Sequence, residues 1–162
     1  MQTQTATATQ SGNPAAIGLS ADAEAMVLTL TVAGQLCGVP VLGVRDVLGP
    51  QAITRIPLAP PEVAGSLNLR GRIVTAIDLR RRLALPARGA EAKAMSVVVE
   101  HQGELYSLLA DQVGDVLTLN AAERAANPPT LEPSWKEVSL GVHRLGEQLL
   151  IVLDVERLMQ FG

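Results

Sequence analysis

The chain has 162 residues, 48% of them hydrophobic and 18% charged, with a formal net charge of −3. A chain of that length and apolar content can bury roughly two thirds of its unfolded surface without disulfides or metals, which excludes a wholly disordered protein. A single cysteine, Cys37, excludes an intrachain disulfide and a cysteine-built zinc cage; two histidines and three aromatic residues leave little for metal ligation, acid–base catalysis or base stacking.

The N-terminal stretch MQTQTATATQSGNP has no cationic region followed by an apolar run, so it does not read as a secretory signal. No stretch approaches 18 uninterrupted apolar residues, and the chain is read as cytosolic. Residues 1–24 lack a hydrophobic period that would offset the entropy of ordering, and are read as a flexible tail. From Met26 the texture changes. MVLTLTV and QLCGV alternate on either side of Ala33-Gly34, predicting a hairpin. VLGVRDVLG then places Val41, Val44 and Leu48 at helical spacing before Gly49-Pro50, predicting a short helix or helical turn. AITRIP reads as a strand that Pro57, Pro60 and Pro61 keep from being central. GSLNLRGRIVTAIDL offers two strands around Gly71, a helical LRRRLAL follows, and the polar ARGAEAK, residues 87–93, reads as a linker or exposed loop.

The second half repeats this order. MSVVVE and ELYSLLA form a hairpin around His101-Gln102-Gly103, DQVGDVLTL follows, and the proline-interrupted segment 120–137 reads as irregular. VSLGVHRL and EQLLIVLD flank Gly146, and a helical VERLMQF closes the chain. An offset of 69 places Gly34 on Gly103, Leu36 on Leu105, Val44 on Val113 and Asp46-Val47-Leu48 on Asp115-Val116-Leu117. An offset of 76 places Gly65 on Gly141, Ile77-Asp78 on Leu153-Asp154 and Arg81 on Arg157. Two small β units of about five strands are predicted, at about 26–86 and 94–160 of a domain spanning 25–160. Closure into barrels removes their edges, and strands can exchange between them. Units so small need to pack on one another.

For chemistry the residues offer little. His101 falls in a hairpin turn and His143 within an alternating strand, neither beside a nucleophile, and no phosphate-binding glycine loop or metal-ligand spacing occurs. No catalytic, cofactor or metal residue is assigned. Arg70, Arg72, Arg80, Arg81, Arg82 and Arg88 crowd one region in which Asp78 is the only acid. Such a cluster could contact phosphates, so a small-barrel nucleic-acid-binding protein using Arg70–Arg88 is the alternative function; a solvated helix face is the plain reading of Arg80–Arg82. Against nucleic acid stand the acidic balance and the missing stacking aromatics. Arg70 lies in Asn68-Leu69-Arg70-Gly71, a turn from which a guanidinium can offer forked donors to a partner, or pair with an acid of its own domain.

The order V-R-D-V-L (44–48), I-T-R-I-P (53–57) and G-S-L-N-L-R-G-R-I-V-T-A-I-D-L-R (65–80) resembles the CheW family of chemotaxis coupling proteins, as do LLADQVGDVL (108–117) and LLIVLDVERLM (149–159). The resemblance runs from about Met26 to Leu158, and its most specific element is NLRG followed by DLR. It implies an all-β, non-enzymatic adaptor of two SH3-like five-stranded barrels with short helices. It implies as partners the regulatory domain of a CheA-type histidine kinase, the cytoplasmic tip of methyl-accepting chemoreceptors and other CheW-like domains in rings, with no cofactor and no direct membrane contact. Asn68, Arg70 and Gly71 would lie at the kinase contact. Val44 and Asp46, expected on the short helix, would lie at or beside the receptor surface, and Asp78 and Arg80 would be structural.

Overall fold

The computed structural model describes residues 24–89 and 92–161. The tail expected over 1–24 lies, apart from Glu24, outside the described residues, as does part of the loop expected at 87–93. Among the described residues the strands are β1 (Glu24–Val32), β2 (Gln35–Pro40), β3 (Val44–Leu48), β4 (Val63–Leu69), β5 (Arg72–Asp78), β6 (Met95–His101), β7 (Glu104–Ala110), β8 (Gln112–Asn120), β9 (Ser139–Leu145) and β10 (Gln148–Leu153). Short helices are α1 (Leu79–Arg82), α2 (Pro133–Val138) and α3 (Val155–Leu158).

The hairpins form where alternation and an Xaa-Gly pair coincide. Ala33-Gly34, Arg70-Gly71 and Gln102-Gly103 all take positive φ at both turn positions, the backbone that matches the twist of two-residue hairpins. Two expectations are corrected. The helix expected through Val41, Val44 and Leu48 is a single 3-10 turn, Val41–Gly43, followed by β3. Valines at 44 and 47 suit a pleated edge, and pairing with β6 prevails over the apparent period. The strand expected at 52–57 contributes one bridge, Thr54 to Ser66, because the prolines after it cannot donate to a ladder. Within the irregular segment 120–137 the structure adds a 3-10 turn at Ala121–Glu123 and α2.

The strands form two five-stranded sheets, in the orders β8-β1-β2-β10-β9 and β3-β6-β7-β5-β4. Each sheet therefore draws on both halves of the sequence, and the exchange is reciprocal. The hairpin β1–β2 joins three strands of the second half, while β6–β7 joins three strands of the first. Equivalent pairs recur at the offsets read from sequence. Val97 faces Val47 as Leu28 faces Val116, and Ala76 pairs in parallel with Ser107 as Val152 does with Gly38. Asp78 and Asp154 cap α1 and α3 alike, each accepting from the second N–H beyond it at 3.0 Å.

Each sheet is closed by one bridge, Thr54 to Ser66 and Ala125 to Val142. Beside these bridges stand Gly65 (φ +150°) and Gly141 (φ +135°), where a Cβ would collide with the Thr54 carbonyl or approach that of Ala125 to 2.8 Å. Backbone packs on backbone there, which only glycine permits.

Alternation divides the apolar side chains into three groups. Leu67, Val74, Ala76 and Leu109 cluster within one sheet, and Val27, Leu119, Leu150 and Val152 within the other. A larger cluster is shared by both sheets and includes Leu28, Leu30, Val32, Ile77, Val97, Leu108, Ile151 and Leu158. Burial of this shared cluster is what makes one body of two marginal units.

A polar joint completes the union. Asp111 sits between β7 of one sheet and β8 of the other. Its Oδ2 accepts from the Ala33 N–H and from Arg80 Nη2, both at 2.7 Å, and its Oδ1 accepts from Arg80 Nε at 3.0 Å and Arg88 Nε at 2.8 Å. Burial alone would push this carboxyl up. The bonds from Arg80, Ala33 and Arg88, with the charge of Arg88, outweigh it and hold the group at about 2, below the ordinary 3.8. Nearby, burial and then the Asp111 charge push the Cys37 thiol up to about 12, leaving it an inert core group.

Three outcomes are expected. Gly65→Ala should destabilise the protein by at least about 2 kcal/mol, read as a lower urea midpoint. Asp111→Asn should cost about 3 kcal/mol by leaving the Arg80 guanidinium without its counter-charge and Arg88 with Asp78 alone. The folded carboxyl binds its proton less readily than the unfolded one, so the wild type should lose about 2 kcal/mol as pH falls from 3.8 toward 2; urea titrations should show a shallower acid loss in Asp111→Asn.

Candidate functional site

The β4–β5 turn gathers most of the residues singled out from sequence. Asn68 is the penultimate residue of β4, and its Oδ1 accepts from the Gly71 N–H at 2.9 Å, bracing the turn from within. Arg70 adopts φ +51° and Gly71 φ +86°, so the chain reverses in two residues and Leu69 pairs with Arg72. The Arg70 side chain is left 76% exposed, with Nη1 3.0 Å from Oδ2 of Asp46. Asp46 is on β3, beyond a bulge in its pairing with β6, and its Oδ1 accepts from the Val47 N–H at 2.9 Å. The fold thus places Asp46 beside Arg70 on a strand, not on a helix.

Val44 lies two residues away. It opens β3 opposite Val99 and packs, half-buried, against the shared core. Gly43, its neighbour in sequence, lines a shallow depression with Pro40, Leu140, Leu153, Val155 and neighbouring residues. Leu42, 92% exposed, projects from the 3-10 turn beside it, and Leu140 is also exposed.

Sequence reasoning missed Arg45, Glu100 and Leu105, which line a depression of about 350 Å³ with Asp46, Leu69, Arg70 and Arg72, the last singled out from sequence only as a member of the arginine cluster. Arg45 donates from Nε and Nη2 to Oε1 of Glu100, at 2.9 and 2.7 Å, and from Nη1 to the Leu42 carbonyl. Glu100 is 55 residues away, and only the β3–β6 pairing brings it in. The result is a firm surface of alternating charge around a small apolar floor. Nothing in it aligns a nucleophile with a base. His143 is buried on β9, where burial and then the charge of Arg124 lower its pKa from the ordinary value, and His101 packs edge-on to Tyr106.

Of the rest of the arginine cluster Arg72 and Arg81 are exposed, but Arg80, Arg82 and Arg88 are not a solvated face. Arg80 and Arg88 hold Asp111, and Arg88 also reaches Asp78 at 3.4 Å. Arg82, with a side chain only 8% exposed, donates to the carbonyls of Arg157, Leu158 and Gln160 at the end of α3. With Arg70 set against Asp46, four of the six cations proposed for phosphate contacts therefore already have internal acceptors.

A match to known proteins decides the family. The CheW-like domain profile matches residues 26–161. The chain belongs to the CheW-like domain family. It is 31% identical to the chemotaxis protein CheW of Klebsiella aerogenes over 132 residues, 82% of this chain and 80% of that one. Identity to the chemotaxis protein CheW of Treponema pallidum is 27% over 141 residues, covering 85% and 83% of the two chains. The crystal structure of scaffolding protein TtCheW from Thermoanaerobacter tengcongensis matches with a TM-score of 0.75 at 25% identity, covering 86% of this chain and 95% of that one. The architecture is that of two SH3-like five-stranded barrels, and this CheW-like chain is a non-enzymatic chemotaxis scaffold.

Because the Arg70–Asp46 pair is largely solvated, it contributes at most about 1 kcal/mol to stability. Arg70→Ala should leave the urea midpoint nearly unchanged, so that any loss of partner binding reads as a loss of contact.

Proposed function

We propose that this chain is a cytoplasmic coupling protein that holds the regulatory domain of a CheA-type histidine kinase against the tips of methyl-accepting chemoreceptors. The observation that carries the reading is the Arg70 turn. A guanidinium on a two-residue hairpin, braced by Asn68 and set against Asp46, offers forked donors with little conformational entropy left to lose. Arginines so presented are favoured anchors of protein interfaces. In this reading Asn68, Arg70 and Gly71 form the kinase contact and Asp46 belongs to the same surface, while Val44, next in sequence to Gly43 on the wall of the depression, belongs to the surface that receives a receptor helix.

The family relationship supports a role in chemotaxis, and the shared core supports a scaffold that behaves as one body. Two faces on one body raise the effective concentration of kinase and receptor for each other. A shift at one face then biases the other partner's equilibrium without chemistry in the scaffold. Contacts from the second barrel to a further CheW-like domain would be heterologous and could close into rings.

Titration calorimetry with the kinase regulatory domain tests the first contact. Arg70→Ala should weaken binding roughly 30-fold, about 2 kcal/mol, and unchanged affinity would refute the assignment. Leu42→Asp should reduce co-sedimentation with receptor-bearing membranes, and normal pelleting would refute the receptor side.

A further inference from the structure

The two copies of the repeat differ most in the segment entering β4 and β9. In the second copy this segment is α2, with Trp135 and Val138 buried and the Val138 carbonyl accepting from the Asp154 N–H at 2.7 Å. In the first copy the equivalent bond runs from the Asp78 N–H to the Glu62 carbonyl at 2.9 Å, which sets Pro57–Glu62 in register with Pro133–Val138. Pro57 matches Pro133, a first position that tolerates proline, but Pro60 and Pro61 stand where α2 has Lys136 and Glu137 and remove N–H groups a helix needs. Ala59 stands where the other copy has Trp135, and Leu58, at φ +62°, lies fully in solvent. What α2 fills in one barrel is open in the other. The opening has a volume of about 610 Å³, and its walls include Arg55, Ile56, Leu58, Ala59, Ala64 and Arg81.

Its charge is also unbalanced. Arg80, Arg82 and Arg88 have internal acceptors, whereas Arg55 and Arg81, both exposed, form no ion pair among the described residues. Asp78, the carboxylate on its wall, already caps α1 and lies 3.4 Å from Arg88. The opening lies at the start of β4, whereas Arg70 follows that strand's other end, so it is separate from the kinase-facing turn.

We propose that this opening is a second docking site, taking an acidic segment of a partner protein that carries a tryptophan or a similarly large apolar side chain. The side chain occupies the place that Trp135 fills in the sister barrel, against Ile56, Leu58 and Ala59, and flanking carboxylates meet Arg55 and Arg81. The inference rests on the internal comparison and on charge, and is independent of the Arg70 contact.

The sister segment itself supplies a probe. An N-acetylated, C-amidated peptide LEPSWKEV, residues 131–138, places Glu132 and Glu137 on either side of Trp135. Titrated into the isotopically labelled full-length protein, it should shift the amide resonances of Ile56, Leu58, Ala59 and Arg81 saturably. The double variant Arg55→Glu/Arg81→Glu should weaken binding at least tenfold, and Ala59→Trp, filling the opening from within, should abolish it. Arg144→Glu on the other barrel should leave it unchanged. The proposal is overturned if those resonances do not move, if a peptide with Glu132→Lys and Glu137→Lys binds equally well, or if an oligonucleotide binds there in place of the acidic peptide.

Discussion

The carboxylate of Asp111 is the point on which the two barrels agree. It lies where the chain passes from one sheet to the other, and it receives the β1–β2 turn through the Ala33 N–H and α1 and the loop after it through Arg80 and Arg88. A buried acid costs free energy unless its lone pairs and charge are answered. Here three elements answer it together, so each is held in place by the others. The pair of arginines that looked free for phosphate is the counter-charge of this joint.

Reciprocal exchange of hairpins makes the joint necessary. With β1–β2 inserted in the second half's sheet and β6–β7 in the first half's, neither half of the sequence holds a complete sheet. The shared apolar cluster then ties both sheets to one folding event. For a scaffold this has a mechanical consequence. A face at the β4–β5 turn and a depression beside the 3-10 turn at Val41–Gly43 keep a fixed relation, because neither can move without opening the shared core.

The repeat also explains how one body comes to offer different surfaces. The two copies keep the residues that build the fold: the capping aspartates, the bridge glycines and the alternating apolar positions. They diverge at a hairpin turn and in the segment that enters β4 and β9. Arg70-Gly71 in one copy corresponds to Gly146-Glu147 in the other, and the segment Pro57–Glu62 to α2. The first difference leaves a guanidinium on one barrel alone, and the second leaves one barrel with an unfilled slot.

Much of this was written in local pattern. Alternation, Xaa-Gly turns and the two offsets determined the hairpins, the repeat and the strand content, because side-chain period and turn backbone depend on neighbours only. The motif around Asn68-Leu69-Arg70-Gly71 marked the site for the same reason. Tertiary structure alone decided that Val44–Leu48 is a strand, since its partner β6 lies far along the chain, Val44 facing Val99, and a valine-rich run can satisfy either period. It alone decided which arginines are available. Charge on a residue is visible in sequence, but its partner is fixed by the fold: Arg80 and Arg88 meet Asp111, Arg82 meets the end of α3, and Arg70 meets Asp46 while remaining open to solvent.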